Sequence, residues 1–390
     1  MNPAGEKINI PDYIEAPSAP KRTRMQEFRR MLAQNRLAAL GFFIFFLFFC
    51  CAVTGLVLTS GSKPIFDPSM VRLEEKLRPP MSKPNLETLR PDQAPVLNVY
   101  LMGTDDLGRD VFSRMLQGAW VSLTVGFVAV GISIFIGIFM GGIAGYFGQH
   151  HIKTIHILFF LCLIGGTGLI LINSIFAGTV LLLLCILTIV FSFLSGREST
   201  EKERPVWKAV FFSNAVSVDT LIMRIVDIML CFPSFFLILT VVALLPASIY
   251  NIMIVIGLTS WMGTTRFVRA EFLSLREQDF VAAAKALGIG NFRIIFRHIM
   301  PNAVAPVLVS ATIGIASAIL TEAGLSFLGF GVPPPHATWG NILSDGKNFI
   351  FDAPWLTFIP GIAILIVVLS FNLFGEGLRD ILNPKLRERY

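Results

Sequence analysis

The chain is poor in charged residues. Asp, Glu, Lys and Arg make up only 15% of its 390 residues, whereas soluble proteins carry about 25%. Hydrophobic residues contribute 54% and gather in long runs, so an ordinary soluble protein is excluded and a polytopic membrane protein is predicted. The net charge of +6 matches the basic loops that orient membrane helices. No basic stripe with interleaved aromatics indicates nucleic-acid binding.

Motifs for catalysis and metal binding are also missing. The five cysteines lie inside apolar runs without a CxxC pair, so neither a disulfide framework nor a zinc site is indicated. The five histidines do not cluster with carboxylates at the spacing of metal ligands. Gly340–Asn348 ends in Gly-Lys, but its glycine spacing is too long for a P-loop and Asn348 replaces Ser/Thr. We therefore expect no catalytic residue, metal or cofactor in this chain, and a membrane enzyme is disfavoured.

Eight apolar runs are long enough to cross a bilayer, which takes roughly 20 residues. The prediction is therefore an all-α transmembrane bundle. The runs are Leu37–Leu58, Trp120–Phe147, Ile152–Ile172, Ile175–Leu194, Thr220–Leu245, Ile249–Phe267, Val304–Phe330 and Trp355–Leu378.

The loops between these runs alternate in charge, and this predicts their sides of the membrane. The basic tail 1–36, the loop before residue 218, the polar loop 271–302 and the C-terminal tail fall on the cytoplasmic side. The segment 59–119 falls outside, and its prolines predict an irregular, ordered flap. The chain is thus expected to be multi-pass in a cytoplasmic membrane, with both termini cytoplasmic.

The polar loop 271–302 contains a short helical segment rich in alanine. Ala282–Leu287 are strong helix formers, and Gly288 supplies a stop. Phe280, Ala283, Ala284 and Leu287 are predicted to share one face. Such a helix either fits a groove on another protein or lies on the lipid surface. A second helical piece is predicted to end at Pro301, before the next span.

This loop resembles the EAA signature of ABC importer permeases, whose small-residue helix is the coupling helix. Ala283, Ala284, Gly288 and Pro301 match the signature, whereas Ala282, His298 and Met300 replace its usual Glu, Ile and Leu. The missing Glu removes one polar contact. The resemblance implies docking onto an ATPase through Phe280, Ala282, Ala283, Ala284, Lys285, Leu287, Gly288 and Pro301.

Further segments resemble the C-type permease subunit of dipeptide/oligopeptide ABC importers. They are GTDDLGRDVFSR (103–114), MRIVDIMLCFP (223–233), TEAGLSFLGFG (321–331), Trp339–Asn341 and the tail FNLFGEGLRDILNP. The resemblance implies a type I (MetI-like) fold with six family spans, including the core 219–390, and inward movement of peptides. It also implies a second permease subunit, two cytoplasmic ATPase subunits that use ATP and Mg, and an extracytoplasmic peptide-binding protein.

One segment departs from the six-span pattern. Residues 149–218 are inserted after the second span and contain two of the apolar runs. An even number of additional spans leaves the downstream topology unchanged. Either a peripheral hairpin against membrane lipid or a docking site for another protein fits this segment.

A few charged residues and glycines leave alternatives open. Arg224 and Asp227 are three apart, so a local ion pair is predicted, although intramembrane charge also fits a translocation path. Glu322 is expected to bond to Thr321, Ser326 or an arginine of the flap, and a place on the translocation path is the alternative. Glycines at 137, 141 and 145 fit helix packing within the chain or a seam against a partner subunit.

Rival functions are a permease for nickel chelates or other small solutes and a stand-alone secondary transporter. The motifs do not separate the first rival from a peptide permease. The second requires ionisable groups at mid-membrane, and the few charges here lie near span ends.

Overall fold

The computed structural model describes residues 35–61, 64–87, 89–90, 94–153, 180–181, 183 and 214–382. These residues form a helical protein with very little strand, which confirms the predicted fold class. The helices are α1 (Arg36–Thr59), α2 (Val111–Phe147), α3 (Val218–Leu230), α4 (Ser234–Leu244), α5 (Ile249–Arg276), α6 (Asp279–Ala286), α7 (Asn291–Ile294), α8 (Met300–Phe327), α9 (Trp339–Gly346) and α10 (Trp355–Leu382).

Within this described part, four helices are long and apolar enough to cross a membrane: α1, α2, α8 and α10. The bent pair α3–α4 makes a fifth span when counted together. α5 has the length of a span, but polar residues such as Asn251 and Thr264 lower its mean hydropathy. The predicted runs Ile152–Ile172 and Ile175–Leu194 lie almost entirely outside the described residues, as does the tail 1–36.

The predicted span Thr220–Leu245 is broken rather than continuous. α3 ends at Leu230, α4 starts at Ser234, and the two helices are bent by 78°. Pro233 explains the break, because proline has no N–H to continue the ladder and disfavours helical backbone in the preceding residue.

α2 begins at Val111, nine residues before the predicted start of the second span at Trp120. The Asp110 carboxylate caps it by accepting hydrogen bonds from the backbone N–H groups of Phe112 (3.3 Å) and Ser113 (3.2 Å). A capped start satisfies orphan N–H groups and favours a negative charge at this helix end. The first turns of α2 therefore belong to the flap, defined here as residues 60–110 together with these turns.

Glycines bring α2 and α5 close together. A Cβ atom added at Gly141 would lie 2.6 Å from the Thr265 carbonyl oxygen, and one at Gly145 would lie 2.5 Å from the Phe272 Cβ. A Cβ at Gly137 would likewise meet Thr264 at 2.5 Å. The glycine stripe thus packs within the chain, which confirms the first of the two predicted roles.

Two short strands join the ends of the inserted segment. β1 (His151–Lys153) pairs antiparallel with β2 (Asn214–Ser217), and His151 lies opposite Ser217. The chain therefore leaves and re-enters the fold at one place, at the end of α2 and the start of α3. The residues between the strands lie outside the described residues, apart from 180, 181 and 183.

The main core is shared by α1, α2, α4, α5, α8, α9 and α10. Phe45 of α1 packs edge-on against Phe371 of α10, with ring centroids 5.2 Å apart. Trp339 at the start of α9 is almost fully buried and donates through its indole N–H to the Met115 carbonyl (3.2 Å). This bond ties α9 to the flap end of the molecule.

Candidate functional site: the polar loop and the charged clusters

The polar loop presents α6 directly after α5, with two residues between the helices. Gly288 ends the helical turn with φ +73°, in the left-handed region that glycine adopts without strain. The backbone N–H of Ile289 donates to the Ala284 carbonyl (3.1 Å), and that of Gly288 donates to the Lys285 carbonyl (2.9 Å). These bonds satisfy carbonyls at the helix end and fix the direction in which the chain leaves α6.

One side of α6 is anchored to the body of the protein. Val281 and Ala284 are buried in an apolar cluster with Phe272 of α5 and Ile294 of α7. The prediction that Ala284 shares an exposed face with Phe280 and Leu287 is therefore wrong. A residue three positions from a buried valine faces the same way, so Ala284 packs inward.

Polar contacts hold the same region. The Tyr146 hydroxyl at the end of α2 donates to the Asn291 side-chain oxygen (2.8 Å), and Arg276 donates to the Tyr146 carbonyl (3.2 Å). The Lys285 ammonium lies 5.9 Å from the centre of the Tyr146 ring. The ends of α2 and α5 and the polar loop are thus connected as one unit.

The opposite side of the polar loop exposes apolar side chains. Leu287 is 80% exposed, Phe292 75%, and Phe280 40%. Ala282, Ala283 and Lys285 are exposed beside them, as are Arg293 and Arg297. We call the exposed residues Phe280, Ala282, Ala283, Leu287, Phe292 and Phe296 the outward patch.

Two members of the outward patch were missed by sequence reasoning. The rings of Phe292 and Phe296 contact each other with centroids 4.4 Å apart and planes tilted by 40°. Their spacing of four residues after the Gly288 turn was the available signal, because such residues meet on a helix surface. Exposed apolar side chains flanked by basic residues are typical of a protein-binding surface.

Pro301 does not end a separate helical piece. α7 passes into a π-helical turn, Ile295–Ile299, and then into α8, whose first turn contains Pro301. Proline is tolerated there because the N–H groups in the first turn of a helix have no intrahelical partner, so the absent N–H of proline costs no hydrogen bond. The polar loop is therefore continuously helical from Asn291 into α8.

The predicted ion pair between Arg224 and Asp227 is wrong. The Asp227 carboxylate accepts from Arg266 of α5 at 2.6 Å, while Arg224 is exposed and makes no salt bridge with a described residue. A second pair links the same two helices, because Arg269 binds both oxygens of Asp219. The aspartates of α3 pair with arginines of α5 rather than with Arg224 of their own helix, because α3 lies against α5.

Glu322 is fully buried where α8 meets α9 and α2. Its carboxylate accepts from the Ser326 hydroxyl (2.7 Å), which was one of the predicted partners, whereas the Thr321 hydroxyl donates to the Ser317 carbonyl instead. The other carboxylate oxygen is buried and has no hydrogen-bond partner among the described residues. This placement supports a packing role at the junction more directly than a place on an open path.

The motif GTDDLGRDVFSR forms a charged cluster that sequence reasoning did not predict. Asp105 is buried and accepts from Arg109 (2.7 Å) and Arg114 (2.6 Å). Both arginines also reach Asp345 of α9, at 3.1 and 2.9 Å. The available signal was the spacing of four residues between Asp105 and Arg109, which suits an ion pair. The cluster fixes the flap onto α9.

The flap crowds further acidic groups beside this cluster. Burial, and then the neighbouring Asp105 and Asp345 carboxylates, raise the pKa of Asp106. Burial also raises the pKa of Asp110, against the lowering effect of the hydrogen bonds from Ser113 and Phe112. In the described part of the chain, no three His, Cys, Asp or Glu side chains converge as metal ligands.

A helical bundle with several membrane spans and an exposed polar loop defines a polytopic membrane protein. Residues 206–388 match the family model described as the binding-protein-dependent transport system inner membrane component. Together with the relatives below, this match shows that the chain belongs to that family of transport permeases.

Three relatives illustrate the similarity. The dipeptide transport system permease protein DppC of Alkalihalophilus pseudofirmus is 35% identical over 92% of this chain and 89% of that protein. The protein of the same name from Haemophilus influenzae is 32% identical over 95% and 97%. The oligopeptide transport system permease protein OppC of Bacillus subtilis is 32% identical over 74% and 73%.

Proposed function

We propose that this chain is the membrane-spanning permease subunit of an ATP-binding-cassette importer that moves dipeptides or oligopeptides inward. The observation that carries the proposal is the outward patch of the polar loop, which is anchored from behind by the buried Val281 and Ala284. Its apolar centre and basic rim fit a groove on a soluble partner. The names of the relatives favour peptides over nickel chelates.

ATP hydrolysis takes place in other subunits of the importer. Two cytoplasmic ATPase subunits bind ATP and Mg, and one of them receives α6, the coupling helix. Phe280, Ala282, Ala283 and Leu287 provide contacts, Lys285 lies at the rim, and Gly288 and Pro301 shape the loop. Ala284 supports the helix from behind. The ATPase states must contact this surface differently, because only differential binding shifts a conformational equilibrium.

The remaining partners follow from the same arrangement. A second permease subunit completes the transmembrane pathway, and an extracytoplasmic binding protein delivers the peptide to the flap side. Both termini and the polar loop lie in the cytoplasm, as the basic loops favour.

Reconstitution tests this function. The chain is purified alone and together with the products of the neighbouring transport genes, and both samples are placed in proteoliposomes with a set of peptides. We expect ATP hydrolysis that is stimulated by peptide and binding protein, and uptake, only in the complete complex. ATP hydrolysis or ion-driven uptake by the chain alone would contradict the proposal, and a complex that takes up nickel chelates but not peptides would revise the substrate.

A further inference from the structure

Two ion pairs join the broken span to the helix that bears the polar loop. Asp227 pairs with Arg266 at 2.6 Å, and the two carboxylate oxygens of Asp219 accept from two guanidinium nitrogens of Arg269. Asp219 lies in the first turn of α3 and Asp227 in its last turn. The pairs therefore fasten α3 to α5 at both of its ends.

Asp219 also lies beside the end of α2. A Cβ atom added at Gly148 would come within 2.9 Å of the Asp219 Cβ, and the Asp219 N–H points at the Gly148 carbonyl (3.5 Å). The first pair thus sits where α2, α3 and α5 meet. A negative charge in the first turn of a helix is favourable, so this position suits Asp219 in its ionised form.

The apolar contact between the two ion pairs is small and adaptable. α3 buries only Ile222 and Val226. Val226 joins Trp261 and Met262 of α5 in a small cluster, packed against by the methionines Met140, Met223 and Met229. Methionine side chains are flexible and tolerate repacking. The ion pairs therefore add directional contacts to an apolar contact that can repack, and they connect α3 to defined positions on α5.

α6 is connected to the helix that carries Arg266 and Arg269 by a short link and by apolar packing. α6 follows α5 after two residues, and Val281 packs in the same cluster as Val268 and Phe272 of α5. Beyond α3, the break at Pro233 leads into α4, which packs its Ile238 and Val242 into the main core. α3 thus connects α5, the helix that leads into the polar loop, with α4, the other half of the broken span.

We propose that Asp219–Arg269 and Asp227–Arg266 are positioning pairs that carry movement of α6 and α5 to the bent span α3–α4. The proposal rests on the importer function above. It assigns to these four residues the mechanical link between ATPase docking and the transmembrane pathway. None of them belongs to the outward patch, so a change at either pair alters coupling without removing a docking contact.

The Asp227–Arg266 pair offers the sharper test, because reversing its charges places arginine near the end of α3, where a positive charge is favourable. The complete complex in proteoliposomes is compared with variants carrying Asp227→Asn, Arg266→Gln, both changes, or the reversed pair Asp227→Arg with Arg266→Asp. Arg224→Gln is the matched control, since it removes a charge from the exposed side of the same helix. Peptide uptake per ATP hydrolysed and co-purification of the partners are measured.

We expect each single change to lower uptake per ATP about fivefold, the lower end of coupling between sites, while the partners still co-purify. The reversed pair restores the ratio, and the control leaves it unchanged. Single changes with an unaltered ratio, a reversed pair that behaves like the single changes, or loss of assembly in the single variants would each overturn the positioning role. Failure of the unsubstituted complex to couple ATP hydrolysis to peptide uptake would instead overturn the proposed function.

Discussion

At the scale of single residues, the turn after α6 depends on one backbone conformation. Gly288 has φ +73° and open space around the position of a Cβ atom, so the constraint is the backbone angle and not crowding. Gly290, two residues later, also has open space but an ordinary φ of −65°. The two glycines therefore separate backbone strain from the effect of an added side chain.

We predict that Gly288→Val uncouples ATP hydrolysis from uptake. A left-handed conformation costs a non-glycine residue roughly 1–2 kcal/mol, enough to shift the turn and to lower uptake per ATP about fivefold or more. Gly290→Val is the control, and we expect it to transport almost normally. Uptake and ATP hydrolysis are measured in the reconstituted complex, and a normal ratio for Gly288→Val would count against docking through α6.

At the scale of elements, the pairing of α2 with α5 determines where the polar loop is held. The glycine stripe on α2 lets the two backbones touch, and Tyr146 and Arg276 then join the ends of the helices. A Cβ atom added at Gly131, on the same helix, would have no described atom of a neighbouring element within 4 Å. The position of Gly131 on α2 is thus open, whereas the glycine stripe is in close contact with α5.

We predict that Gly141→Val destabilises the protein, whereas Gly131→Val does not. The new side chain at 141 meets backbone atoms of Thr265 and Arg269, which cannot move aside as a side-chain end can. Overpacking of this kind costs about 1–3 kcal/mol. Thermal unfolding of the purified protein in detergent measures the difference, and equal midpoints for the two variants would show that α2 and α5 do not approach this closely.

At the scale of the whole molecule, the inserted segment meets the fold at the β1–β2 ladder. The ladder brings the end of α2 next to the start of α3, close to the Asp219–Arg269 pair. The segment between the strands can therefore be separated from the permease core without stretching the chain across the molecule, provided that the strands are kept.

We predict that replacing residues 154–213 by a short turn leaves a transport-competent permease. The ladder still closes as a hairpin with this connection, and α3 keeps its position on α5. Membrane insertion, assembly with the partners and peptide uptake are measured beside the unaltered chain. Complete loss of uptake in a properly assembled complex would show that the segment is a required docking site rather than a peripheral hairpin.

The sequence by itself determined the class of this protein and the location of its polar loop. Long apolar runs have few ways to fold except as membrane helices, because each backbone group must find its partner within the segment. The sequence also predicted the Gly288 turn and the approach of helices along the glycine stripe, since both depend on residue type and local spacing.

Only the tertiary structure decided which charges pair and which face of α6 is free. Asp227 pairs with Arg266 rather than with its near neighbour Arg224, and Ala284 packs inward. Both outcomes depend on how α3 and α6 lie against α5. Residues far apart in sequence become neighbours only when helices pack, so local spacing carries no information about them.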